Sequence, residues 1–284
     1  MGKRPKATPR NVKVDDWAER ELKVKRSRSG HLLVSPKING VDVGWFMFDT
    51  GEPMTTISPS LADELGLAEA GHSFVGGAGS EVTRTGVRQA GSLELGPIVL
   101  ENVRLVEFET MGQETVGVIG WDILIHTVVE IDMQQAAITV HPREDYELRA
   151  GEWRDLTLHM MHPHVEASFV GGHEGLFRID TGAGRLAVMS HEPTVRRFDL
   201  LADRETSPFN AMGAGGQLNL RSGAMEWFEI AGHRTEPLPV LFCTDEIGAL
   251  ADGNTLGNIG GGVLTPFVLA FDYQGKRVGF IPRD

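Results

Sequence analysis

Two stretches of this 284-residue chain align without a gap: HLLVSPKINGVDVGWFMFDTG at residues 31–51 and HPHVEASFVGGHEGLFRIDTG at residues 162–182. Each reads as a strand, a glycine turn and a second strand that stops on an acid. The acids are Asp49 and Asp180, 131 residues apart, followed by Thr50-Gly51 and Thr181-Gly182. At this composition random order gives about 0.1 Asp-Thr-Gly triplets, so two in matching surroundings are a repeat. A second pair agrees: VIGWDILIHTVVEIDMQQAAITVHP ends at Pro142 and NIGGGVLTPFVLAFDYQGKRVGFIP at Pro282, matching Ile119-Gly120 to Ile259-Gly260 at an offset of 140. Between these landmarks each copy has a glycine-rich stretch, with Gly76, Gly77 and Gly79 in the first and Gly213, Gly215 and Gly216 in the second. One unit written twice makes a pseudo-dimer.

Within each copy the apolar runs are short and punctuated by turn residues, such as Gly96-Pro97 and Gln274-Gly275. Helical signal is confined to SPSLADELGL, with Ser58 or Ser60 as cap and Gly66 as stop, and to SHEPTVRRFDL in the matching place. The expected class is all-β with short helices. The expected organisation is an arm over 1–30, a first lobe over 31–145, a linker over 146–160 and a second lobe over 161–284.

The net charge of −12 is unevenly spread: residues 1–30 carry +6 and the remainder −18. The arm reads as mobile or loosely docked and drawn to the acidic body, with the cleft one possible landing place. An acidic body repels phosphate, which argues against a nucleic-acid partner. No apolar stretch reaches the ~18–20 residues of a membrane span. The single cysteine, Cys243, follows Val240-Leu241-Phe242 and reads as a buried, inert thiol. With no apolar h-region after the basic start, the expected location is cytoplasmic. His159, His162, His164 and His173 could gather around a metal, but the repeat already places this stretch on a strand, so no metal or other cofactor is expected. VGGAGS lacks the Gly-Lys-Ser/Thr of a phosphate cradle.

A two-fold repeat with one acid per copy can bring two carboxylates together on its axis. Two carboxylates a few ångströms apart share a proton. The ionised member can take a proton from a water between them while the protonated member donates to a carbonyl under attack. Threonine hydroxyls can bond backbone across the axis, and glycines admit backbone close to the acids. The two triplets, with Ile119-Gly120 and Ile259-Gly260 behind them and glycine-rich stretches in the place of flaps, resemble the retropepsin-like aspartic proteases over residues 31–142 and 163–283. The resemblance implies a bilobal, pseudo-two-fold retropepsin/pepsin-like fold. It implies catalytic roles for Asp49 and Asp180, support from Thr50, Gly51, Thr181, Gly182, Ile119, Gly120, Ile259 and Gly260, and peptide or protein substrates. With both halves in one chain, activity as a monomer is expected.

Three departures stand out. Glu52 follows the first triplet where Ala183 follows the second, and a third carboxylate near the dyad would move its acid pH limit upward. Asn258 occupies an expected apolar position, and neither glycine-rich stretch carries a tyrosine. The alternative reading is a catalytically weak relative that binds peptides or proteins.

Overall fold

The computed structural model describes residues 20–109 and 114–283, together with the backbone of Val12–Val14. Short strands dominate, and the four α-helices among these residues span at most six residues. No helix among them is long and apolar enough to cross a membrane. The elements form one sheet per copy and a third sheet built by both.

The first sheet runs, in spatial order, Val24–Arg26, Leu32–Val34, Phe46–Phe48, Gly117–Ile119, Thr56–Ile57, Ile98–Glu107 and Thr83–Leu95, then two short edge strands. The second repeats that order from His162–Phe169 through His173–Ile179, Gly257–Ile259, Val188–Ser190 and Leu238–Cys243 to Gly216–Met225. In each, the acid-bearing strand lies parallel to the later Ile-Gly strand, Met47 beside Val118 and Arg178 beside Asn258. These strands are buried on both faces, which is why Phe46, Phe48, Ile119, Phe177, Ile179 and Ile259 all lie in the core and alternation is weak in the sequence.

The third sheet interleaves the C-terminal hairpins of both copies. Ala137–His141 and Val128–Asp132 meet Phe267–Asp272 and Arg277–Pro282, with Ile131 opposite Leu269. Its all-buried Phe267–Asp272 strand carries the continuity of the core from one copy to the other.

Two sequence boundaries shift. Residues 20–26, read as part of the arm, are built into the fold. Leu22 is buried and donates its N–H to the Ile138 carbonyl, Val140 donates to the Arg20 carbonyl, and Val24–Arg26 pairs with Leu32–Val34. The reason is that a sheet edge presents unpaired backbone groups, and this segment satisfies them while placing Leu22 and Val24 against the core. Val12–Val14 also pairs with Ile98–Leu100 of the first lobe; residues 1–11 and 15–19 lie outside the described residues. The expected linker likewise holds two strands: Glu152–Asp155 extends the third sheet against Arg277–Pro282, and Thr157–His159 pairs with His162–Phe169.

Candidate active site

Both Asp-Thr-Gly turns leave the sheet where their strand meets the Ile-Gly strand. The Asp49 N–H donates to the Ile119 carbonyl at 3.0 Å and the Asp180 N–H to that of Ile259 at 2.9 Å. Gly120 and Gly260 follow immediately, packed so closely against Glu52 and Leu186 backbone that a side chain would overlap it.

The two turns are tied to each other by their threonines. Thr50 Oγ1 donates to the Ile179 carbonyl at 2.9 Å and accepts from the Thr181 N–H at 3.1 Å. Thr181 Oγ1 donates to the Phe48 carbonyl at 3.1 Å and accepts from the Thr50 N–H at 3.0 Å. Both threonines are buried, at 1% and 0% exposure, so these four bonds satisfy groups that water does not reach.

This lock brings the carboxylates of Asp49 and Asp180 together. Asp49 Oδ1 accepts from Gly51 N–H at 2.7 Å within its own turn and from Gly182 N–H at 3.2 Å across the axis. A Cβ on Gly51 would lie 3.0 Å from Asp180 Oδ1 and 3.1 Å from Asp49 Oδ1, and one on Gly182 would overlap the Asp49 carboxylate. Glycine is required at 182 because the Asp49 carboxylate occupies that space, and at 51 a Cβ would press on both carboxylates.

Burial raises Asp49 well above the usual carboxylate range, and the charges of Asp180 and Glu52 add to it. Burial raises Asp180 too, but Arg178 and the Asn258 amide oppose the shift. Glu52 is pushed up to about 7, chiefly by burial, with Asp122 and Asp180 adding repulsion. Glu52 is thus a third carboxyl within electrostatic reach of both acids. Its Asp122 neighbour is buried and accepts from both the N–H and the hydroxyl of Thr55.

Each lobe sends out a hairpin, Ala68–Val75 with Thr83–Leu95 and Ser207–Gly213 with Gly216–Met225. Their glycine-rich tips meet. Gly79 N–H donates to the Ala214 carbonyl at 2.8 Å and Glu81 N–H to that of Gly215 at 3.0 Å. Ala249 N–H, at the start of a short 3-10 helix of the second lobe, donates to the Gly77 carbonyl at 2.9 Å.

Several polar residues at the site were not singled out as functional by their sequence. The His31 ring faces the Gly182 carbonyl and the His162 ring that of Gly51, each reaching the opposite lobe's turn. Arg178 and His191 are buried beside Asp180 and Asn258. The signal was available in the repeat, where Arg178 aligns with Met47 and Asn258 with Val118. Of the four histidines considered as a metal cluster, His159 lies opposite His162 across the strands with its ring 6.0 Å from that of His164 and approaches Asp252 at 3.7 Å, His164 sits beside Arg178, and His173 stacks apart on Phe198. Among the described residues no three His, Cys, Asp or Glu side chains gather as metal ligands.

No curated protein matches the chain. A family model described as aspartyl protease matches residues 34–123, a span that holds the first triplet, the first hairpin and Ile119-Gly120. Over that span, which lies within the first lobe, the chain is similar to aspartyl proteases.

Proposed function

We propose that this protein is an aspartic endopeptidase that uses Asp49 and Asp180 as a shared-proton dyad. The observation that carries the reading is the reciprocal threonine lock, which presents two acids from one chain to a common point. The peptide would lie between the dyad and the joined hairpin tips. One carboxylate takes a proton from a water as the water oxygen bonds to the scissile carbonyl carbon; the other donates its proton to the carbonyl oxygen. In the resulting gem-diol, the acid that gave its proton recovers one from a hydroxyl. The other passes its proton to the amide nitrogen as the C–N bond breaks. The dyad ends as it began, so no covalent intermediate and no cofactor enters the step. Because one chain supplies both halves, the monomer is the working unit.

The experiment is cleavage of a denatured protein over a pH series by the unmodified chain, Asp49→Asn and Asp180→Asn, with and without a pepstatin-type inhibitor. The expected result is that either substitution abolishes cleavage while circular dichroism and the urea midpoint show a folded protein. Near-full cleavage by either variant would sink the shared-proton mechanism. A folded, unmodified chain that binds peptides and cleaves none would establish the peptide-binding alternative. Activity per molecule that falls on dilution in step with dissociation would contradict the monomer.

A further inference from the structure

The two lobes share a register but differ in chemistry beneath their acids. In the first lobe one cross-strand row joins Leu33, Met47 and Val118. The corresponding row of the second lobe joins His164, Arg178 and Asn258. Met47 and Arg178 stand two residues before their acids, so each shares a face with its acid's side of the strand. An apolar row therefore underlies Asp49 and a polar row underlies Asp180. The polar row is buried, with exposures of 0% for His164, 7% for Arg178 and 4% for Asn258.

The row reaches the acid directly. Asn258 Nδ2 donates to Asp180 Oδ2 at 2.7 Å, and Asn258 Oδ1 lies 2.9 Å from His191 Nε2. His191 is fully buried at the position before the helix Glu192–Arg197, and burial pushes its imidazole down to about 4. A neutral ring with its proton on Nε2 donates to the amide oxygen and so turns the amide N–H toward Asp180. Such a donor favours a carboxylate acceptor, and the Arg178 guanidinium adds attraction. Asp49 has no side-chain donor among these bonds; its Oδ1 takes only the backbone N–H groups of Gly51 and Gly182.

We propose that Asn258, oriented by His191 and backed by Arg178, makes Asp180 the ionised member of the pair and leaves the shared proton on Asp49. This rests on the peptidase reading and gives it a direction. Asp180 takes the proton of the attacking water, and Asp49 protonates the carbonyl oxygen. On collapse Asp49 recovers its proton from the gem-diol, and Asp180 delivers the water's proton to the leaving nitrogen. Asn258 acts through Asp180 and is a positioning residue. The charged and titratable groups facing the pair are Arg178 on the strand of Asp180, His31 and Glu52 from the first lobe, and Tyr273 near Asp49. Glu52 repels a charge on either acid, the two acids repel each other, and Arg178 attracts both. The difference between them rests on the Asn258 bond, with His31 adding attraction at Asp180.

The test is a pH titration of the intact protein labelled with 13C at aspartate carboxyls, with Asp49→Asn and Asp180→Asn used to assign the two resonances. Asp180 should report the charged form at the lower pH and Asp49 should hold the proton longer. Replacing Asn258 by the valine of the other repeat should raise the Asp180 transition by about one pH unit, the loss of a charge-assisted hydrogen bond. The acid limb of kcat/KM should rise by the same amount. Asp49 ionising first, or an Asp180 transition unmoved in Asn258→Val, would overturn the proposal. Should Asn258→Val fail to fold, the order of ionisation in the unmodified protein still decides. If the titration order is as expected and no peptide is cleaved, only the peptidase reading fails.

Discussion

Thr50 and Thr181 each donate to the backbone of the opposite lobe and accept from the other's N–H, so either hydroxyl serves two bonds across the pseudo-two-fold axis. Replacing Thr50 by valine keeps the shape and strands the Thr181 N–H and the Ile179 carbonyl in a place without water. The expected cost is about 2–4 kcal/mol in urea unfolding, with Thr50→Ser costing about 1 kcal/mol because it keeps the hydroxyl. Equal stability of the valine variant and the parent would show that the lock contributes no net stabilisation.

Glu52 should act on the basic side of the pH profile. Its carboxyl titrates at about 7 in the folded chain against 4.5 in a free one. A group held at about 7 is neutral at an acid limb below that value, so its effect is expected on the basic side rather than on the acid limit. Above about 7 its charge repels a charge on Asp49 and helps Asp49 keep its proton. Glu52→Gln should pull the basic limb of kcat/KM to lower pH and leave the acid limb in place. An acid limb that moves instead would mean that Glu52 carries its charge there.

The same group links pH to stability. A carboxyl raised on folding binds its proton more tightly in the native state, so its effect is absent below about 4.5 and grows as pH rises through about 7. Stability should fall by up to about 3 kcal/mol over that window. Glu52→Gln should flatten this part of the curve, measured as the urea midpoint at a series of pH values.

The joined hairpin tips require glycine at residue 79, since a Cβ there would overlap the Gly215 carbonyl and disturb two adjacent hydrogen bonds. Gly79→Ala should raise KM about tenfold, the loss of one or two hydrogen bonds. Amide exchange at Glu81 should quicken while the urea midpoint barely changes. A variant with unchanged KM and exchange would show that the tips part at no cost.

A chain beginning at Gly30 would lack buried Leu22, its bond to Ile138 and the whole Val24–Arg26 strand. Burying a leucine contributes about 2–3 kcal/mol, and the sheet pairing adds to it. Truncation at Gly30 should lower stability by about 3 kcal/mol or more in urea unfolding. Stability equal to that of the full chain would return residues 20–29 to a loosely attached arm.

The repeat was legible because it is written in residue identity: strand, turn and triplet recur at a constant spacing, and backbone hydrogen bonding then leaves few choices for the all-β fold. Asp49, Asp180 and their threonines and glycines could be picked out for the same reason. The arm and linker boundaries were not legible. Whether Leu22 or Glu152–Asp155 is ordered depends on which sheet edge lies within reach, and that is a property of the folded body. Asn258 read as a polar residue in an apolar element, since a sequence records its type and not its partner. The matched triplets determined by themselves that two acids would share an axis. Only the tertiary structure decided that the surroundings of those acids differ, because Leu33–Met47–Val118 and His164–Arg178–Asn258 become rows only when strands distant in the chain align. A carboxylate's proton affinity is set by the dipoles and charges within a few ångströms, wherever in the chain they originate.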